Sequence, residues 1–120
     1  MKILIVDDSK AMRLIVQRSI RKAGFSGLEF CEAEDGQKGL TAVQENTPDL
    51  ILSDWNMPEM TGIEFLTELR GQGNQTPFGF ITTEGSADLR SQAIDAGANF
   101  MLTKPFTPDQ VEQALGDYVS

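Results

Sequence analysis

Histidine is absent from the 120 residues of this sequence. An imidazole is the usual base beside serine and cysteine nucleophiles, a frequent zinc ligand and the carrier of a phosphohistidine. The absence therefore excludes these three kinds of site on this chain. Any chemistry must use carboxylates, hydroxyls and lysine instead.

Cysteine and basic residues are scarce. A single cysteine, Cys31, excludes a disulfide within the chain, which fits a reducing compartment, and we interpret it as a small buried side chain of a strand. The 10 lysines and arginines are outnumbered by 18 acidic residues, so the formal net charge is −8. Because this charge repels phosphate backbones, we expect no nucleic acid among the partners.

The amino terminus lacks a long apolar run. Only Ile3, Leu4, Ile5 and Val6 precede two aspartates. A signal peptide needs an apolar stretch of about 7–15 residues, and a membrane span needs about 18 or more. We therefore expect no membrane association and a cytoplasmic location. A length of 120 residues is typical of one domain, so we expect residues 1–120 to form a single, monomeric domain without an effector domain.

Five short apolar runs alternate with stretches of helical periodicity, a pattern typical of repeated βαβ units. It predicts an α/β fold in which a doubly wound parallel sheet carries helices on both faces. The predicted strands cover residues 2–6, 28–33, 50–53, 78–81 and 99–103.

Capping residues predict four helices that begin after Ser9, Asp35, Thr61 and Thr107, and weaker periodicity predicts another helix over about 86–96. We expect Ile15 on the apolar face of the first helix and Ile94 on that of the fourth. Gly79 interrupts a strand, which indicates the close approach of another backbone.

Polar side chains follow four of the predicted strands. Asp7 and Asp8 end the first, Asp54 the third, Thr82 the fourth and Lys104 the fifth. Because parallel strands place their carboxyl ends at one edge of the sheet, we expect these residues to form one pocket.

A cluster of three carboxylates favours a bound cation. Two like charges about 5 Å apart repel by roughly 3 kcal/mol at an effective dielectric constant near 20. Magnesium prefers such oxygen ligands and commonly pairs them with phosphate oxygens. With Lys104 and Thr82, the cluster predicts phosphoryl transfer to a carboxylate. Asp7 and Asp8 suit metal binding, and an ion bound by Asp8 and Asp54 would neutralise much of the charge of the pocket. Asp54, which stands alone, is also the predicted nucleophile.

Each element also has an ordinary structural interpretation. Asp7 and Asp8 with Ser9 form a good turn and helix cap, and Thr82 can simply end a strand. A magnesium-dependent phosphatase or phosphotransferase acting on a small substrate would use the same carboxylates. Flavin binding is a weaker alternative, because the first loop is acidic rather than rich in glycine and hydroxyls.

The sequence resembles the receiver domain of two-component response regulators, and most closely its single-domain chemotaxis members. The resemblance extends over almost the whole chain. The motifs that carry it lie at residues 3–9, 34–36, 48–51, 54–62, 81–84, 96–98 and 104–106. It implies a flavodoxin-like sheet with the strand order 2-1-3-4-5.

The resemblance also implies roles for the site residues. Asp54 corresponds to the phosphoacceptor, and Asp7 and Asp8 to the acidic pair around Mg²⁺ or Mn²⁺. The backbone carbonyl of Asn56 would complete the metal site. Lys104 corresponds to the lysine that contacts the phosphoryl group and precedes a cis peptide bond.

Four further positions correspond to switching and tuning residues of the family. Thr82 matches the switch hydroxyl, and Glu84 matches a position that tunes hydrolysis. Thr83 replaces a residue that is often alanine, which narrows access to the phosphoryl site. The switch aromatic falls at Phe100 or Met101, and counting back from Lys104 gives Met101, a flexible thioether.

As the resemblance implies, the protein is not a conventional enzyme, because it catalyses only its own phosphorylation and dephosphorylation. A histidine kinase would be the phosphodonor. A protein target would bind the face formed by helix 4, strand 5 and helix 5. Control of the flagellar motor is the expected output, with a phosphorelay shuttle as the alternative.

Overall fold

A parallel sheet of five strands forms the centre of the protein, which is described by a computed structural model covering residues 1–119. The strand order β2-β1-β3-β4-β5 is the predicted one. The strands are β1 (Lys2–Val6), β2 (Glu29–Ala33), β3 (Leu50–Asp54), β4 (Phe78–Thr82) and β5 (Phe100–Thr103). Their limits lie within one residue of those predicted, and β3 and β4 extend to include Asp54 and Thr82.

Four helices connect the five strands, and a fifth helix follows β5. They are α1 (Lys10–Lys22), α2 (Gly36–Asn46), α3 (Gly62–Gly71), α4 (Ala87–Ala96) and α5 (Pro108–Leu115). The side chain of each preceding residue accepts a hydrogen bond from the first turn, as predicted for Ser9, Asp35, Thr61 and Thr107. These caps satisfy backbone N–H groups that a helix cannot pair internally, and they fix where each helix begins.

Two apolar cores lie on opposite faces of the sheet. Leu4 and Ile51 point into the core formed with α2, α3 and α4, whereas Ile5 and Leu52 point into the core formed with α1 and α5. Central strands that are buried on both faces are characteristic of parallel sheets, and they leave polar residues only at the strand ends. Among residues 1–119, no helix is both long and apolar enough to cross a membrane.

Two predicted core residues are instead exposed. Ile15 is 47% exposed and Ile94 is 52% exposed. Ile15 directly precedes the buried Val16 in α1, and Ile94 directly follows the buried Ala93 in α4. Because consecutive helical residues are rotated by about 100°, turning one of them into the core turns the other towards solvent.

The environments of Gly79 and Cys31 also differ from expectation. A β-carbon at Gly79 would overlap the ring of Phe100, its partner in the β4–β5 register, so a side chain rather than a backbone makes the close approach. Cys31 is half-buried, not fully buried, because β2 is an edge strand that neighbours only β1. It packs against the core on the α2 side.

Thr47 ends α2 in the left-handed region, with φ of 44°. This conformation costs an L-residue roughly 1–2 kcal/mol, and a β-branched side chain is especially unsuited to it. The Thr47 side chain is exposed, so it gains no packing in return.

We predict that Thr47→Gly increases the free energy of unfolding by about 0.5–1 kcal/mol, because glycine relieves this strain but loses more entropy on folding. Urea denaturation followed by circular dichroism measures the change. Thr41→Gly, at an exposed position inside α2, is the matched control and should be slightly destabilising. Equal losses in both variants would contradict the prediction.

Candidate metal and phosphoryl-transfer site

Three carboxylates meet at the carboxyl edge of the sheet. Val6 pairs with Ser53 in the β1–β3 register, so Asp7 and Asp54, the next residues, lie beside each other. One carboxylate oxygen from each of Asp7, Asp8 and Asp54 lies within 4.8 Å of the others. The structure therefore brings together the acidic residues that the sequence places far apart.

The three carboxylates differ in environment. Asp7 is buried, Asp54 is half-buried and Asp8 is exposed at the rim. Burial raises the pKa of both Asp7 and Asp54 above the ordinary value of 3.8, although the charge of Lys104 acts in the opposite direction. Burial in the pocket thus makes ionisation of these carboxylates less favourable, and a bound cation would offset this cost.

Lys104 supplies the ammonium group nearest to these acids. Its Nζ lies 3.5 Å from Oδ2 of Asp7 and 3.8 Å from Oδ1 of Asp54. The Lys104 backbone N–H donates to the carbonyl of Thr82 at 2.7 Å, which ties the end of β5 to the end of β4. The peptide bond between Lys104 and Pro105 is cis, as the resemblance implies.

Thr82 is buried at the end of β4, one residue after Ile81, the register partner of Asp54. Its Oγ1 accepts a hydrogen bond from the backbone N–H of Glu84 at 3.2 Å. Thr83 and Glu84 are both exposed in the loop that follows. Thr82 therefore lies at the carboxyl edge of the sheet, and the exposed Thr83 and Glu84 follow it in the loop.

The loop after Asp54 is held against the sheet. The backbone N–H of Trp55 donates to Oδ1 of Asp54 at 2.8 Å, and the Trp55 ring packs on Phe80 with 4.7 Å between centroids. Gly62 donates its N–H to the Trp55 carbonyl and has no room for a β-carbon beside the Asp54 carbonyl. Asn56 follows on the exposed side of this loop, two residues from Asp54.

Met101 and Phe100 occupy opposite faces of β5. Met101 is buried in the core on the α2–α4 face, where Phe80 is its register partner. Phe100 packs on the α1–α5 face and stacks on Tyr118 with 5.3 Å between centroids. By strand alternation, Met101 therefore lies on the same face of the sheet as Thr82, and Phe100 lies on the opposite face.

Arg13 is a site-adjacent residue that the sequence analysis did not identify. Its guanidinium donates to the backbone carbonyl of Asp7, and its Nε donates to Oε1 of Glu32 at 2.8 Å. The helical spacing could have identified it. Arg13 lies three residues before Val16 and four before Gln17, which places it on the buried face of α1. A charged residue on such a face requires a partner.

The donor set fits a hard divalent cation. Asp7, Asp8 and Asp54 offer carboxylate oxygens, and oxygen-only sites suit Mg²⁺ or Mn²⁺ rather than zinc or copper. Asp54 is half-buried and Asp8 is exposed, so the cluster is accessible from solvent.

Comparison with known proteins identifies the family. The model of the response regulator receiver domain matches residues 3–116. The chain belongs to the response regulator receiver family. It is 37% identical to the chemotaxis protein CheY of Pseudomonas aeruginosa over 117 residues, which cover 96% of this chain and 93% of that protein. It is 36% identical to CheY1 of Helicobacter pylori over 118 residues, or 96% and 94% of the two chains.

Solved structures agree with this assignment. The chemotaxis protein CheY4 of Vibrio cholerae superposes with a TM-score of 0.86 and 37% identity, covering 98% of both chains. The receiver domain of the Francisella response regulator 1452 gives a TM-score of 0.85 and 29% identity, covering 98% of this chain and 95% of that chain. The protein is therefore a CheY-type receiver domain, a class of signalling protein.

We predict that Asp54→Asn stabilises the metal-free protein at neutral pH by up to about 1 kcal/mol. Because the folded state raises the pKa of Asp54, ionisation costs the folded protein more than the unfolded chain. Wild-type stability should consequently fall as the pH rises from below 3.8 through the raised pKa. The difference between the two proteins should disappear at a pH below 3.8.

Thermal denaturation in EDTA at several pH values measures this difference. Asp117→Asn, at an exposed turn position, is the charge-matched control and should behave like the wild type. A destabilised Asp54→Asn protein at neutral pH would contradict the prediction.

Proposed function

We propose that this protein is a single-domain phosphorylation switch whose Asp54 accepts a phosphoryl group from a histidine kinase in a reaction that requires Mg²⁺. One observation carries the proposal. The Asp54 carboxylate lies within 4.8 Å of those of Asp7 and Asp8 and 3.8 Å from the Lys104 ammonium. These are the groups that in-line phosphoryl transfer to a carboxylate requires.

In the proposed reaction, a carboxylate oxygen of Asp54 forms a bond to phosphorus as the bond from phosphorus to the donor breaks. The product is an aspartyl phosphate. The electron pair leaves with the imidazole nitrogen of a phosphohistidine donor or with the carboxylate oxygen of an acyl phosphate donor. Lys104 and the Thr82 hydroxyl stabilise charge on the phosphoryl oxygens. Asp7, Asp8 and the Asn56 carbonyl would hold the cation, which neutralises the charge of the donor as it enters the acidic pocket.

The exposure of the pocket supports a protein donor over catalysis on a small substrate. A phosphatase generally protects its reacting groups from water and supplies an acid for the leaving group. Here Asp8, Asn56 and Thr83 are all exposed at the rim. Repeated turnover of p-nitrophenyl phosphate would favour a phosphatase instead.

The output of the switch is proposed to be binding of a target protein on the face formed by α4, β5 and α5. A groove of about 470 Å³ lies there, and Ile94 and Phe100 are among its lining residues. Ile94 is 52% exposed, so its aliphatic side chain is available for apolar contact with a partner. The names of the relatives favour a role in chemotaxis. We propose control of the flagellar motor as the output, with a phosphorelay shuttle as the alternative.

We predict that acetyl phosphate with Mg²⁺ adds one phosphoryl group, about 80 Da, to the wild-type protein. Asp54→Asn should abolish the addition because it removes the nucleophile, and EDTA should abolish it because the acidic pocket then repels the donor. Intact-mass spectrometry measures the product. Asp117→Asn is the matched control and should be phosphorylated normally. An unmodified wild type, or modification that persists in Asp54→Asn, would refute the proposal.

We predict that beryllofluoride with Mg²⁺ increases capture of a target protein from an extract of the source cells. Ile94→Glu should abolish this capture, since a charge in place of the exposed aliphatic side chain of Ile94 opposes apolar contact with the target. It should leave phosphorylation by acetyl phosphate intact, because Ile94 lies outside the site. Affinity purification followed by mass spectrometry provides the measurement.

The control for this experiment is Leu14→Glu, which changes an exposed aliphatic residue of α1 that is 40% exposed. It should retain full capture. Equal capture by Ile94→Glu and the wild type would show that the target does not dock on the α4–β5–α5 face.

A further inference from the structure

Arg13 links three elements around the acidic pocket. It lies in the first turns of α1 and donates to the Asp7 carbonyl at the end of β1. Through Nε it also donates to Glu32 in β2. The Arg13 side chain is only 12% exposed, and its contact to the Asp7 carbonyl is partly buried, a setting that strengthens a hydrogen bond. The Glu32 side chain is 39% exposed, so the ion pair lies nearer the surface.

The peptide that Arg13 holds carries the buried member of the carboxylate cluster. The backbone N–H of Asp7 is fixed by the Ala33 carbonyl at 3.1 Å, and its side chain accepts from the N–H of Ser9 at 2.9 Å. The contact from Arg13 fixes the remaining polar group of this residue, its carbonyl. These three contacts hold both backbone polar groups of Asp7 and one of its carboxylate oxygens, in the arrangement that places this carboxylate beside Asp54.

Glu32 makes this arrangement compatible with a cation site. A lone guanidinium beside the pocket would repel Mg²⁺, but the Arg13–Glu32 ion pair cancels most of its charge. What remains is a rigid donor with fork geometry, which arginine provides and lysine does not. Arg13 therefore contributes orientation rather than electrostatic attraction.

We propose that Arg13 is a positioning residue for the metal site, which holds the Asp7 peptide so that the Asp7 and Asp8 carboxylates face Asp54. This inference rests on the proposed function, since it concerns the Mg²⁺ on which phosphorylation depends. Residues that orient metal ligands from behind typically change metal affinity by 10–100-fold when they are replaced.

Charge and geometry predict opposite results at this position. If Arg13 acted only through its charge, Arg13→Gln would remove a cation and strengthen Mg²⁺ binding, and Arg13→Lys would leave it unchanged. If Arg13 positions Asp7, both variants weaken binding, because a single ammonium cannot reproduce the two contacts to Asp7 and Glu32. The lysine variant thus separates the two roles.

Isothermal titration of Mg²⁺ into the folded wild type and variants tests the proposal without any activity assay. We expect about 10-fold weaker binding for both Arg13→Lys and Arg13→Gln. Arg18→Gln removes the same charge from an exposed position of α1 and is the matched control. Its affinity should equal or slightly exceed that of the wild type.

Circular dichroism at the titration temperature establishes that each variant is folded. A purely structural role for Arg13 would lower the melting temperature and leave the Mg²⁺ affinity of the folded protein unchanged, which would overturn the inference. Tighter binding by Arg13→Gln would overturn it as well. A wild type that binds no Mg²⁺ and accepts no phosphoryl group from acetyl phosphate would refute the proposed function itself, a distinguishable result.

Discussion

Two carboxylates that burial makes costly to ionise, Asp7 and Asp54, share a single ammonium group, that of Lys104. The interaction exists because each residue stands at the carboxyl end of a strand of one parallel sheet. The sheet is covered on both faces, so its edge is where charged groups can be accommodated without being fully desolvated. The remaining imbalance of charge, with Asp8 at the rim, makes the pocket electrostatically suited to a divalent cation.

Much of this arrangement could be predicted from the sequence, because its signals are local or topological. The helix caps at Ser9, Asp35, Thr61 and Thr107 act within a few residues, and each is present as predicted. The gathering of the acids around Lys104 followed from the rule that parallel strands place their carboxyl ends together. Their chemical roles remain predictions, since proximity does not measure reactivity.

The features that could not be predicted depend on how each helix is rotated and packed against the sheet. The spacing of Ile15 and Ile94 continues the apolar stripe of each helix. The rotation of a helix about its own axis, however, is set by the residues that pack best against the sheet. That rotation leaves both isoleucines exposed to solvent. Arg13 was missed for a related reason. Its partners, the Asp7 carbonyl and Glu32, lie close together because β1 and β2 are neighbouring strands, and the packing of α1 on the sheet brings Arg13 to both.

Gly79 and Phe100 occupy adjacent strands as a complementary pair, one residue without a side chain and one whose ring fills the vacated space. Enlarging residue 79 requires a smaller residue at 100, and shrinking residue 100 leaves a cavity above 79. Natural variation at these two positions should consequently be correlated rather than independent. In homologues that carry a side chain at the first position, a small residue at the second is the expected companion, so the two sites form a single unit of evolutionary change.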